Sequence, residues 1–374
     1  MNSYYNPVKV IYGNGAIYEV KSLLDKIIRP NGRVLIITWN ECTEQLDAFA
    51  GLSQSFTVRT VCFKESNPTV EQLFELYTKT SEYMPEAVIA IGGGSVMDVG
   101  KSLCCFYGKE ISSPDEMRRI ISEKDFGIPC AKWIGVPTTS GTGSEVTCWA
   151  TIWDPTQNVK RSVESHDNFA YAAVVDPDLT ENMPVKLAVS SALDAAAHAI
   201  ESYWANGSNI ISKALALGAV RTIMGHIDSL LDGEKNAHAY MAQGSVTAGM
   251  AFSSTKTTAC HSISYPLTMK HGIPHGTAVS MLLAPVMEIN SSSVADYKAL
   301  LDALGVNSAE ELGRKIKNIL TRAEIPCSLE AWGVKKDELP GLAALGITKG
   351  RADNNPVEFT EEIILSVLEK IYTE

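Results

Sequence analysis

The sequence predicts an α/β domain built on a parallel sheet, followed by an all-α domain. Three observations predict it. Short apolar runs alternate with helical patterns through the first half of the chain. That alternation stops after about residue 179, and stretches rich in Ala, Leu and Met at helical spacing replace it. A length of 374 residues exceeds one ordinary core and fits two domains.

Val34-Leu-Ile-Ile-Thr38 follows Gly32-Arg33 and reads as a buried strand. Ala87–Ile91 is a second, running straight into Gly92-Gly-Gly-Ser95; Trp133–Val136 is a third, ending in Pro137-Thr-Thr-Ser-Gly-Thr142; Tyr171–Val175 is a fourth, ending in Asp176-Pro177. Helical patterns at 43–52, 70–84 and 95–106 lie between them, as in a parallel sheet covered on both faces. Helices are then expected at 187–205, 211–231, 237–250, 275–289, 308–320 and 358–372. The boundary falls near 176–180, giving domains 1–178 and 179–374. No repeat or low-complexity segment interrupts the pattern.

Formal net charge is -11, from 32 basic and 43 acidic residues. Nucleic-acid binding needs a basic face, so that class is excluded. The start, MNSYYNPVKVIYG, lacks a basic stretch followed by an apolar core, and no apolar run reads as long enough to cross a bilayer. The 8 cysteines are scattered without C-x-x-C spacing. Reduced thiols in a cytoplasmic protein are the reading that follows.

Gly92-Gly-Gly-Ser95 lies between a strand and a helix, where backbone N–H groups and the helix dipole suit a phosphate. It is neither the dinucleotide fingerprint nor a Walker loop. A tight turn explains the triplet equally well; Asp98 and Lys101 on the following helix favour the phosphate reading. Pro137-Thr-Thr-Ser-Gly-Thr-Gly-Ser-Glu145 is a second hydroxyl-rich loop after a strand, offering groups to a ribose, phosphate or carboxamide, or simply an N-cap.

Asp194 and His198 flank three alanines, so i, i+4 spacing puts both on one helix face, with small residues leaving room beside them. His261, His271 and His275 lie further on; of 7 histidines these three cluster within fifteen residues. A carboxylate with imidazoles suits Fe(II) or Zn(II). Spacing alone does not choose between His261, His271 and His275.

Together, Gly92–Lys101 (GGGSVMDVGK), Val136–Glu145 (VPTTSGTGSE), Val175–Leu179 (VDPDL), Asp194-x-x-x-His198 and His261…Pro-His275-Gly resemble the iron-containing alcohol dehydrogenases, in matching order over roughly residues 5–290. The resemblance implies a Rossmann-like nucleotide-binding domain, a helical domain and a cleft between them, the dehydroquinate synthase-like architecture. It implies metal ligation by Asp194, His198, His261 and His275, not His271. It also implies NAD(P)H and a homodimer. Gly93, Gly94, Ser95 and Asp98 would sit at the pyrophosphate; Thr138, Thr139 and Thr142 on the nicotinamide and phosphate side; Asn67 and Lys160 near the adenosine ribose.

Three departures bear on chemistry. Many relatives carry a histidine four residues after the first late ligand; here it is Tyr265, leaving Tyr265, His271 or water as proton source. An acidic residue often follows the first strand of NAD-selective relatives; here Trp39 and Asn40 stand there, which permits NADPH. Before His261 stands Ser253-Ser-Thr-Lys-Thr-Thr-Ala-Cys260. Lys256 there either suits an anionic substrate head or faces solvent. This stretch and Cys148–Trp153 are similar to the phosphonoacetaldehyde reductase branch. A short-chain alcohol or diol dehydrogenase such as a lactaldehyde reductase is the competing expectation. An NAD- and metal-dependent cyclase or lyase, and a nucleotide-binding protein without activity, are the rivals of other classes.

Overall fold

The structure is a computed structural model and describes residues 3–40, 46–157, 159–348 and 350–373. Two compact units emerge: one from residues 6–139 and 144–180, the other from 181–374 with 1–5 and 140–143.

The first unit holds the strands β1 (Lys9–Tyr12), β2 (Arg33–Thr38), β3 (Thr57–Cys62), β4 (Ala87–Gly92), β5 (Lys132–Pro137), β6 (Trp149–Asp154), β7 (Val159–Glu164) and β8 (Ala172–Val175). Six form one sheet in the order β1-β8-β5-β4-β2-β3, with every neighbouring pair parallel. Its helices are α1 (Val20–Ile27), α2 (Leu52–Ser55), α3 (Val70–Thr80), α4 (Gly94–Phe106) and α5 (Pro114–Glu123). The central strands are continuous apolar runs because both faces are covered. Val34, Ile36, Ile89, Ile91, Ile134 and Val136 pack with Val20, Leu23 and Leu24 of α1 on one side. On the other, α4 lies so close that a Cβ on Gly100 would come within 2.8 Å of the Ala90 Cβ.

The four expected strands are all present, and the sheet gains β1 and β3 at its edges. The antiparallel pair β6–β7 was not foreseen. A buried ion cluster ties it down: Asp154, which is 0% exposed, accepts from Arg118 of α5 at 3.0 and 3.2 Å and from Arg161 of β7 at 2.6 Å. The helix expected at 43–52 differs. Residues 43–45 lie outside the described residues, and the rest forms a single 3-10 turn at Asp47–Phe49 before α2.

The second unit is helical: α6 (Val185–Trp204), α7 (Ile210–Leu231), α8 (Ala237–Phe252), α9 (Ala259–His271), α10 (His275–Asn290), α11 (Tyr297–Leu304), α12 (Ala309–Arg322), α13 (Leu339–Leu345) and α14 (Glu361–Lys370). Its core gathers Val189, Leu193, Ile200, Val220, Ile223, Ile263, Leu282 and Val286. The 22-residue α7 is long and apolar enough by composition to cross a membrane, contrary to the reading of the sequence, yet it packs against α6 and α8 in this core.

Candidate metal and nucleotide sites

Asp194, His198 and Glu201 stand at i, i+4 and i+7 on α6, which places all three on one helix face. Every residue from 192 to 204 is buried. The alanines between Asp194 and His198 do not open space there: they are packed into the helical core. His261 lies in the first turn of α9, and His275 is the first residue of α10. Gly276 explains how α10 comes so near. A Cβ there would fall 2.0 Å from the Ser190 carbonyl oxygen and 2.9 Å from the Asp194 Cβ, so only glycine allows the approach.

The residues converge. One ligand atom each of Asp194, His261 and His275 lies within 4.8 Å of the others. Asp194 Oδ1 is 3.6 Å from His261 Nε2 and 3.8 Å from His275 Nε2, while His198 Nδ1 is 3.9 Å from Asp194 Oδ2. The set of three does not include His198. Its ring is stacked on Phe252, centroids 4.2 Å apart, and lies 4.4 Å from the His261 ring.

These separations exceed hydrogen-bond length. They approach the separation of about 3.4 Å between neighbouring ligands of a tetrahedral ion with bonds of about 2.1 Å. Asp194 Oδ1, His198 Nδ1 and His261 Nε2 are buried with no hydrogen-bond partner among the described residues. Buried polar atoms are rarely left so. A cation among Asp194, His261 and His275 would satisfy the carboxylate oxygen and the His261 nitrogen together, so the donor set fits a divalent metal. Electrostatics agree. Burial pushes the Asp194 carboxyl up, but the three histidines outweigh it and hold the group below the ordinary carboxylate range. Burial lowers His198 to about 4, leaving the neutral imidazole that a metal needs.

Glu201 was missed in the sequence. It is fully buried, and its carboxylate accepts from His261 Nδ1, from Thr258 Oγ1 at 2.8 Å and from the Cys260 N–H at 2.7 Å. Trp204 Nε1 donates to the Thr258 hydroxyl at 2.8 Å, so the hydroxyl's single proton is left for Glu201. This arrangement fixes the His261 tautomer with Nε2 bare and facing Asp194.

Tyr265 follows His261 by one turn of α9; its ring stacks parallel to that of His275, centroids 5.9 Å apart. Burial raises its phenol above the usual value, so it is protonated. His271 closes α9, about 15 Å along the helix axis from His261 at 1.5 Å per residue, and makes none of the ring contacts that join the other three. Lys256 is half-buried after α8, in a left-handed turn at φ 62°. The positive charge acting on His198 and Tyr265 is instead that of Arg351, also missed in the sequence.

In the sheet unit, Trp39, Gly93, Thr138 and Thr139 follow the carboxyl ends of adjacent parallel strands β2, β4 and β5. Ligands of open α/β sheets bind at that edge. No side chain caps α4, whose first N–H groups follow Gly93. The glycines here serve close approach rather than unusual torsion: a Cβ on Gly92 would meet Val96 at 2.6 Å and Trp39 at 3.0 Å, and one on Gly93 would meet Thr139 at 3.4 Å. Asn67, left-handed at φ 55°, donates its N–H to Ser95 Oγ at 3.2 Å. Asp98 accepts from Ser144 Oγ at 2.8 Å and from the Thr151 N–H at 2.9 Å. Lys160 lies over the Trp153 ring at 5.7 Å. Thr142 belongs with the helical unit, whose neighbouring Gly143 at φ +57° would put a Cβ 2.5 Å from the Gly249 Cα.

Lys101 does not face a ligand. It is 0% exposed and donates to the Ser144 carbonyl, Ser144 Oγ, Thr147 Oγ1 and the Trp149 carbonyl at 2.7–3.0 Å. Its ammonium staples the loop after β5 to β6. The phosphate reading loses that support and keeps the glycines and the uncapped helix.

Comparison with known proteins accords with this geometry. Residues 7–177 match the model of the iron-containing alcohol dehydrogenases, and residues 188–372 match the C-terminal model of the same family. An NADPH-dependent butanol dehydrogenase of Clostridium saccharobutylicum is 27% identical over 98% of this chain and 97% of its own. A choline dehydrogenase of Bacillus subtilis is 30% identical over 80% of this chain and 76% of its own. The crystal structure of a sulfoacetaldehyde reductase from Bifidobacterium kashiwanohense with NAD+ superposes with a TM-score of 0.88 at 25% identity, covering 100% of this chain and 99% of that one. With two family models laid end to end over its length, the chain belongs to the iron-containing alcohol dehydrogenase family.

Proposed function

We propose that the chain reduces a small anionic aldehyde, such as phosphonoacetaldehyde, to its primary alcohol with NAD(P)H. Asp194, His198, His261 and His275 would hold one divalent metal for this step, Fe(II) in preference to Zn(II). As a member of its family the chain is an alcohol dehydrogenase. The observation that carries the metal assignment is the set of buried, unpartnered atoms on Asp194, His198 and His261. Each would cost about 1–3 kcal/mol if left so.

When bound, the metal supplies Lewis acidity at the carbonyl oxygen. The protein's part is positional and electrostatic. Asp194 brings the single negative charge among the four residues, and Glu201 keeps His261 in the tautomer that offers Nε2. The balance is aldehyde plus NAD(P)H plus a proton giving alcohol plus NAD(P)+. We assign the proton at the product oxygen to Tyr265, buried beside His275, rather than to His271 at the far end of α9. Water is the remaining source.

For the cofactor, Gly93, Gly94, Ser95 and Asp98 would take the pyrophosphate, Thr138, Thr139 and Thr142 the nicotinamide side, and Asn67 and Lys160 the adenosine ribose. Trp39 carries no charge to repel a 2′-phosphate; one relative uses NADPH and another is known with NAD+. Lys256, within its run of Ser and Thr, and a relative acting on sulfoacetaldehyde both favour an anionic substrate head. A cytoplasmic homodimer is the form we expect to act.

The test is a screen following nicotinamide absorbance with NADH and NADPH on phosphonoacetaldehyde, lactaldehyde, succinic semialdehyde and propanal. The highest kcat/KM should fall on the anionic two-carbon aldehyde. Preference for lactaldehyde or propanal would favour a general short-chain dehydrogenase. No net consumption of NAD(P)H with any aldehyde would favour cyclase or lyase chemistry.

A further inference from the structure

Arg351 follows α13 in an irregular stretch nearly ninety residues beyond His261, yet the fold returns it to the cluster. Ser262, the residue after His261, donates its hydroxyl to the Gly346 carbonyl at 2.6 Å and accepts the Thr348 N–H at 2.7 Å. Asn354 donates its amide to the carbonyls of Thr255 and Thr257 at 2.8 and 3.1 Å. Asn355 and Asn290 exchange buried amide bonds at 3.0 and 2.8 Å. Residues 346–348 and 350–355 are thus laced onto the loop and helix that present His261.

The guanidinium is held from two sides. Nη1 donates to Thr257 Oγ1, and Cζ lies 5.9 Å from the centroid of the Tyr265 ring, which itself stacks on His275. Among the described residues no carboxylate pairs with Arg351. Its donors beyond Nη1 have no described acceptor, and the side chain is half-buried. A planar fork of donors beside a metal cluster, backed by an aromatic ring and lacking a counter-ion, suits a phosphonate, sulfonate or carboxylate. A two-carbon aldehyde bearing such a head spans roughly 5 Å between its terminal oxygens at bond lengths of about 1.5 Å. Tyr265 links the two ends, its ring centroid 5.9 Å from the Arg351 Cζ and 5.9 Å from the His275 ring centroid.

We propose that Arg351 selects the substrate, its guanidinium receiving the anionic head of the aldehyde whose carbonyl is reduced at the Asp194, His198, His261 and His275 cluster. This rests on the anionic-aldehyde reading above and names the residue that enforces it. Thr257 orients the fork, and Tyr265 forms the wall along which the head slides in.

The test compares wild type with Arg351→Met and Arg351→Lys. Two quantities are read: the ratio of kcat/KM for phosphonoacetaldehyde to that for propanal, and the Kd of 2-hydroxyethylphosphonate by calorimetry on metal-loaded protein without nicotinamide. In Arg351→Met the ratio should fall and the Kd rise by about 10- to 100-fold, the loss of a charge-assisted pair. Arg351→Lys, which keeps the charge but not the fork, should fall between. Metal content and thermal melting establish that each variant is folded and loaded. A wild type that favours the phosphonate while Arg351→Met keeps ratio and Kd within twofold overturns the Arg351 assignment alone. A wild type with no such preference and no binding of 2-hydroxyethylphosphonate overturns the anionic-aldehyde reading, and Arg351 with it.

Discussion

Glu201→Gln changes one atom in a buried network and should weaken the metal site without emptying its ligands. Four donors meet the carboxylate: His261 Nδ1, Thr258 Oγ1, the Cys260 N–H and, at 3.4 Å, the His261 N–H. An ionised carboxylate accepts from all of them; an amide has one oxygen and one NH2. If the oxygen stays with Thr258 and Cys260, the NH2 faces His261 Nδ1. His261 must then move its proton to Nε2, the nitrogen aimed at Asp194. If the amide flips, the donors of Thr258, Cys260 and the His261 backbone meet an NH2 instead. Either arrangement loses at least one charge-assisted bond, worth about 1.5–3 kcal/mol of stability. The first also blocks a ligand lone pair. Loss of such an outer partner weakens metal affinity by about 10- to 100-fold, or about 1.4–2.7 kcal/mol. Competition with a chelator of known zinc affinity measures the change, alongside circular dichroism to establish folding. A folded variant whose zinc Kd stays within twofold of wild type would refute the reasoning.

Other perturbations follow from single contacts. Gly276→Ala forces a methyl to within 2.0 Å of the Ser190 carbonyl oxygen, so α10 must withdraw and carry His275 with it. Destabilisation of about 1–3 kcal/mol with loss of tight metal binding is expected; an unchanged melting curve and zinc Kd would count against the packing argument. Burial raises the Glu145 carboxyl to about 7, against an ordinary 4.5. A raised folded-state value means the folded chain holds the proton longer, so this group's stabilisation is complete below pH 4.5 and disappears as pH rises through 7. The total is about 3 kcal/mol. Urea unfolding should therefore show Glu145→Gln gaining on wild type by about 2–3 kcal/mol between pH 5 and pH 8. A pH-independent difference would contradict it. Lys101→Met removes a buried ammonium that binds the 144–149 loop and takes from Asp98 the larger of two positive charges acting on it, leaving that of Lys160. It should lower the melting temperature, whereas an unchanged melt with weakened nucleotide binding would return Lys101 to the ligand side.

What was legible in the sequence follows from period and reach. Buried parallel strands declare themselves as short apolar runs between turn residues, and all four such runs are strands of the sheet. Asp194 and His198 were legible because i, i+4 spacing on a helix fixes a shared face. Glu201 is within reach of the same rule, one turn beyond His198 at i+7, but a lone glutamate on a helix carries no ligand signal of its own. α9 was not read as a helix because Pro266 interrupts it and its sequence is polar around the cluster. Lys101 was misread because a lysine after a glycine turn suggests phosphate, whereas its place on the inward face of α4 turns it into the protein. Arg351 left no local signal at all, since it reaches the cluster through side-chain amide and hydroxyl bonds of an irregular segment. The β6–β7 pair was legible in principle, with the β-prone residues Trp149, Thr151, Ile152 and Trp153 followed by the turn-forming Pro155 and Thr156.

We propose that one cation, held by three imidazoles and a carboxylate, makes this protein a reductase. Stripping the protein with chelator, then titrating Fe(II) without air while following NADPH oxidation by phosphonoacetaldehyde, tests it most directly. The rate should be negligible in the stripped protein, recover to saturation at one equivalent of iron, and not recover in Asp194→Asn. Full turnover by metal-free protein, or by Asp194→Asn with no bound iron, would contradict it.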